Sequence, residues 1–144
     1  MTTNAAVQFT HTATVSQQRD LVTDHVRTRV LDTLAAITGG YQMPGIEITR
    51  EFARGQYTGR TATILNGSRE HTSVPKAALV NATAANTLDI DDGHRQVKGH
   101  PAAVVVPPAL AAAEAEHATV GEFLDAVYVG YELAVRAGLV RLQS

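Results

Sequence analysis

No cysteine occurs anywhere in the 144 residues. That excludes a disulfide framework, a thiol nucleophile, a zinc knuckle and a thiolate-held iron–sulfur cluster. Tryptophan is absent too, and aromatic residues make up only 5% of the chain, so large rings cannot fill the core. Abundant alanine must do so instead, which favours closely packed helices over sheets. No uninterrupted apolar run approaches the roughly 18 residues of a membrane span. Positive charge is not in surplus either. With 12 Lys+Arg against 14 Asp+Glu, the net charge of −2 argues against duplex nucleic acid as a partner. The N-terminus has no basic stretch leading into an apolar core, so no secretory signal is read there. These absences lead to the expectation of a cytoplasmic protein without a membrane or nucleic-acid partner.

What is present reads as a mainly α chain with at most one or two short strands near 61–65. Residues 1–15 are Thr-rich without a clear period and read as a flexible N-terminus, with a helical domain over 16–144. Ser16 is a candidate cap for a helix carrying Leu21, Val22, Val26, Val30, Leu31, Leu34 and Ile37 on one stripe, stopped by Gly39-Gly40. A shorter helix over 45–53 is expected to bury Ile48, Phe52 and Ala53. The run TATIL ends at Asn66-Gly67, a turn signal, but 69–72 reads as loop and leaves the strand without an evident partner.

Ser73 and Pro75 open an alanine-lined helix, with Ala78, Ala82, Ala85 and Leu88 sharing a face. After a polar stretch, Pro101 begins another apolar run, in which Pro107-Pro108 must either kink the helix or start its main part. Thr119 and Glu122 form a capping-box pattern before a final helix to about Arg136. The sequence stops soon after that pattern, and the expectation is a domain that is incomplete by itself.

The polar stretch 89–100, DIDDGHRQVKGH, is the segment suited to chemistry. Apolar helices on both sides would exclude water, and its carboxylates and imidazoles could then serve as general acids and bases. Asp89 follows a helix C-terminus, where the dipole disfavours a carboxylate, so a purely local role is not obvious. Asp91 and Asp92 could equally be Asx-turn residues or caps, His94 a solvated loop residue, and His100 a group bonded to backbone at a helix entry. Metal binding by Asp89, Asp91, Asp92, His94 and His100 is the rival reading. The stretch lacks the terminal Glu of a calcium-binding EF-hand loop and the usual zinc spacings, so no metal site is assigned.

LDIDDGH, then GHPAAVVVPPALAAAE, both following PKAALVNATAANT, resemble the MmgE/PrpD family. Members include 2-methylcitrate dehydratase, cis-aconitate decarboxylase and iminodisuccinate epimerase. VLDTLAAITGG, TATILNG and GEFLDAVYVGYELAVRAG extend the resemblance over about 17–138. It implies the N-terminal portion of an all-helical domain, needing no cofactor, in a lyase or isomerase acting on small di- or tricarboxylic acids. Asp89 and His100 match residues lining the family's site. His100 would give or take a proton at the substrate carbon, and Asp89 would orient a neighbouring group or the substrate hydroxyl. Asp92, Gly93, His94 and Lys98 would contact substrate, with His94 reaching a carboxylate when cationic. Two positions depart from the usual pattern: Gly93 stands where many members carry a hydroxyl residue, and Asn86 where many carry His.

Family members are longer, so the resemblance implies a fragment or one half of a split enzyme, assembled as a homo-oligomer or with a second half. The alternative expectation is a non-catalytic helical assembly module of the same fold.

Overall fold

Alanine decides how closely the helices approach. In the computed structural model, which describes residues 3–68 and 70–142, helix α4 (Val74–Asn86) packs against α2 (Asp20–Gly40), α3 (Pro44–Gln56) and α5 (Pro101–Ala115). Ala77, Ala84 and Ala85 of α4 are fully buried. Gly40 at the end of α2 lies so close to α4 that a Cβ there would stand 1.9 Å from the Ala84 carbonyl oxygen. Gly40 therefore stays helical and serves the contact; the helix ends at the next residue, Tyr41. Overpacking here would force the two backbones apart.

The remaining elements are α1 (Thr3–Thr12), strands β1 (Ala62–Ile64) and β2 (Glu70–Thr72), and α6 (Val120–Leu142). The mainly α expectation holds: among the described residues there are six helices and one two-stranded sheet. One core cluster joins Ile37, Ile46, Ile64, Val80, Ala84 and Ala85 around α4. A second joins Val15, Val26 and Val30 to Ala102, Val106 and Val127, tying α2 to α5 and α6.

Several sequence expectations change. Residues 62–72 do form a hairpin, because 70–72, read as loop, pairs antiparallel with β1 in the register Ala62↔Thr72. The pair is stabilised from outside: buried Asn81 of α4 donates to the Thr63 carbonyl at 3.0 Å and accepts from the Leu65 N–H at 3.1 Å. Glu114 of α5 accepts from the Thr63 N–H at 2.7 Å. An edge held by side chains from other helices leaves no local pattern in the strand.

Ser16 lies in a 3-10 turn, Val15–Gln17, and α2 begins instead at Asp20 with Arg19 as its cap residue. On α2 the buried face runs through Val26, Val30, Thr33 and Ile37, leaving Leu21 and Leu31 65% and 67% exposed. On α3 the buried residues are Ile46 and Ala53, while Ile48 and Phe52 face solvent. Helix α5 continues through Pro107 and Pro108, and α6 extends beyond Arg136 to Leu142. The capping box at α6 forms as read, with Glu122 accepting from the Thr119 N–H and hydroxyl at 2.7 and 2.8 Å. Residues 3–12, read as lacking a clear period, are helical without a buried residue, and the Phe9 ring lies 6.0 Å from that of Tyr128. No helix among the described residues is long and apolar enough to cross a membrane.

Candidate active site

The chain between α4 and α5 folds back on itself to bring its acids and imidazoles together. Helix α4 ends at Asn86, and Asp89 then adopts a left-handed conformation with φ 54°, its N–H bonded to the Asn86 carbonyl at 3.2 Å. Asp is one of the few residues besides Gly that tolerates this region. A small antiparallel bridge, His94 N–H to Gly99 carbonyl at 2.9 Å, closes the turn over 95–98. Val97 fixes the turn on α6, where a Cβ at Gly138 would meet the Val97 side chain at 2.9 Å. His100 becomes the residue that caps α5, followed by Pro101 in the first turn, which needs no N–H partner there.

This path sends three nearby carboxylates in different directions. The Asp89 side chain is 85% exposed, whereas those of Asp91 and Asp92 are 0% and 2% exposed. Asp89 Oδ1 stands 3.4 Å from His100 Nε2, and Asp91 Oδ2 stands 3.3 Å from His100 Nδ1. The imidazole thus lies between two carboxylates. Nδ1 is buried and, although within ion-pair distance of Asp91, is outside hydrogen-bond geometry. The Asn86 amide donates to both Asp91 oxygens, at 3.3 and 3.1 Å. Of the residues expected from the sequence, His100 and Asp89 come together, and Asp91 joins them.

Asp92 turns inward. One oxygen accepts from the Ala102 N–H at 3.0 Å, satisfying an otherwise open donor in the first turn of α5. The other accepts from the Tyr131 hydroxyl at 2.7 Å and lies 3.6 Å from the Arg29 guanidinium. Burial, reinforced by the hydrogen bond to Asp92, pushes the Tyr131 hydroxyl up to about 12. Through these contacts Asp92 ties α2, α6 and the start of α5 to the loop. Its carboxylate faces these groups and not the recess described next.

Gly93, His94, Lys98 and His100 line one recess of about 310 Å³, together with Arg95 and Gly99. Two of these side chains are permanent cations and none is acidic. His100 also borders a second recess of about 430 Å³ with Asn86, Thr87 and Val104. A larger recess of about 620 Å³ lies by α3 and β1 and shares no residue with the loop.

Among the described residues, Asp89, Asp91 and His100 each offer one ligand atom, all within 4.8 Å of one another, and form a group that could hold a metal ion. The chemistry this arrangement can do is proton transfer by an imidazole with carboxylates at either nitrogen.

Sequence reasoning missed two partners. Asp91 was open to a cap or turn role, yet it faces His100. Tyr131 is the other: a half-buried tyrosine hydroxyl generally needs a polar partner, and Asp92 is that partner.

A comparison with the curated proteins finds no match. The family model of the MmgE/PrpD N-terminal domain matches residues 5–142, nearly the whole chain. The loop, its two flanking alanine-rich helices and the hairpin all fall inside that match, and the chain belongs to the MmgE/PrpD family.

Proposed function

We propose that the chain contributes to the acid–base site of a lyase or isomerase of 2-methylcitrate dehydratase type, acting on small di- or tricarboxylic acids. The observation carrying this reading is the His100 imidazole, held between Asp89 and Asp91 at the edge of a recess lined by Arg95 and Lys98. His100 gives or takes a proton at the carbon beside a substrate carboxylate. Lys98, and His94 when protonated, attract the carboxylates themselves, with the Gly93 backbone at the rim. Asp89 stands beside His100 Nε2 on the solvent side and orients a substrate hydroxyl. Asp92 acts behind the site by holding the start of α5.

The test is binding of 2-methylcitrate and cis-aconitate to isotopically labelled protein, followed by NMR. Saturable shifts at Gly93, Lys98 and His100, abolished in H100A, are expected. Absence of any saturable shift with either acid would sink the reading. Turnover of either acid by the chain alone is expected to be weak, because this loop supplies few cations for a polyanionic substrate.

A second reading, a non-catalytic helical assembly module, is favoured by the solvent-facing Ile48 and Phe52 of α3, which are 73% and 61% exposed. Apolar side chains on one helix face suit association with another protein surface, here a second copy of the chain or another part of the enzyme. Light scattering decides it: a stable monomer at high concentration counts against assembly.

A further inference from the structure

We propose that Asp91 is the positioning residue of His100, holding the imidazole with its hydrogen on Nδ1 so that Nε2 is the atom that exchanges protons with substrate. The proposal rests on the reading of His100 as the acid–base group. Its argument is local. Nδ1 is buried without a hydrogen-bond partner, and Asp91 Oδ2 lies 3.3 Å away. A bare nitrogen lone pair there would face a carboxylate lone pair in a site that water does not reach. An N–H at the same position would need only a small ring rotation to donate to it, and an unmet buried polar group is costly.

Asp91 is also built to stay where it is. Its side chain is fully buried, and the Asn86 amide at the end of α4 donates to both of its oxygens. The backbone of His100 is fixed separately, as the residue capping α5. Asp89 differs in every respect: it approaches Nε2 from the outside and its side chain is 85% exposed. Asp89 is therefore free to give way when a substrate approaches Nε2, whereas Asp91 keeps the opposite nitrogen engaged. When the ring takes a proton at Nε2, Asp91 is in place to offset the imidazolium charge. The second nitrogen of a catalytic imidazole commonly sets which nitrogen reacts in this way.

Long-range proton–nitrogen NMR of the histidine rings tests this on the substrate-free protein, with H100Q identifying the His100 signals. At a pH where the ring is neutral, the wild type is expected to show the Nδ1–H form as dominant. In D91A that form falls to the minority, D91N restores it in part because an amide oxygen still accepts, and D89N leaves it unchanged. An Nε2–H form dominating in the wild type would overturn the proposal whether or not the variants fold. So would a D91A protein with native circular dichroism and an unaltered tautomer. No substrate enters the measurement, so this proposal can fail while carboxylic-acid binding at the site succeeds, and the reverse.

Discussion

Two polar networks tie elements of this helical domain together, each with buried and exposed members, and they are built differently. Beside the hairpin, Glu70 of β2 bonds to Arg50 of α3 and lies 3.3 Å from the ammonium of Lys76, whose side chain is 8% exposed. Beside the loop, Asp92 meets a backbone N–H, a tyrosine hydroxyl and a more distant guanidinium, while Asp91 and Asp89 flank an imidazole. The hairpin network places two permanent cations on one acid. The loop network places several acids on few cations and includes an imidazole, a group that can both give and take a proton. The first ties α3 and the start of α4 to the hairpin. The second holds α5 in place and also presents an imidazole beside an exposed carboxylate, and the proposed acid–base role is placed at the loop for that reason.

Removing the anchor of the loop network should have the largest effect. D92A leaves the Ala102 N–H and the Tyr131 hydroxyl without their buried acceptor and is expected to destabilise the fold by about 3 kcal/mol in urea denaturation. A loss below roughly 1 kcal/mol would mean that water replaces the carboxylate and that Asp92 is no anchor. In the hairpin network, E70A strands the buried Lys76 ammonium. Because Glu70 and Arg50 are partly exposed, the expected loss is smaller, about 2 kcal/mol. The variant K76M, which replaces the charge by apolar volume, should lose less than E70A does.

Acid separates the networks further. Burial pushes the Glu70 carboxyl up, but the hydrogen bonds from Arg50 and Lys76, with their charges, outweigh it and hold the group below its usual range. A carboxyl with a depressed folded-state value contributes stability that is complete above its unfolded value, about 4.3, and lost as pH falls through the folded value. Denaturation midpoints measured from pH 6 downward should therefore drop on acidification, and the part due to Glu70 should vanish in E70Q. An identical acid slope in E70Q would remove the electrostatic role given to Glu70. The smallest effect is expected at the loop's outer edge. D89N keeps a residue suited to the left-handed conformation, so stability should change by no more than about 0.5 kcal/mol. Carboxylic-acid binding is the property it should alter.

The parts legible in the sequence were those whose cause is local. The capping box at Thr119 and Glu122, the Pro-led starts of α4 and α5 and the polar stretch 89–100 follow from short-range rules, and the structure contains all of them. Which face of α2 or α3 is buried was only partly legible. Leu31 lies beside Val30 in sequence but a third of a turn away around the helix, and the choice belongs to the neighbours that cover it. The hairpin leaves no local signal because Asn81 and Glu114, remote in sequence, hold its edge.

For the site, the sequence alone determined the inventory: three carboxylates and two imidazoles between alanine-rich helices, in the pattern of the MmgE/PrpD family. Only the tertiary structure decided their division of labour. Asp89, Asp91 and Asp92 are chemically identical and nearly adjacent, and no local rule distinguishes them. Their difference arises where the left-handed turn at Asp89, the Asn86 amide and the start of α5 direct one outward, one to the imidazole and one into the interior. Burial and partners are properties of the folded surroundings, so three equal letters become an exposed contact, a positioning residue and an anchor.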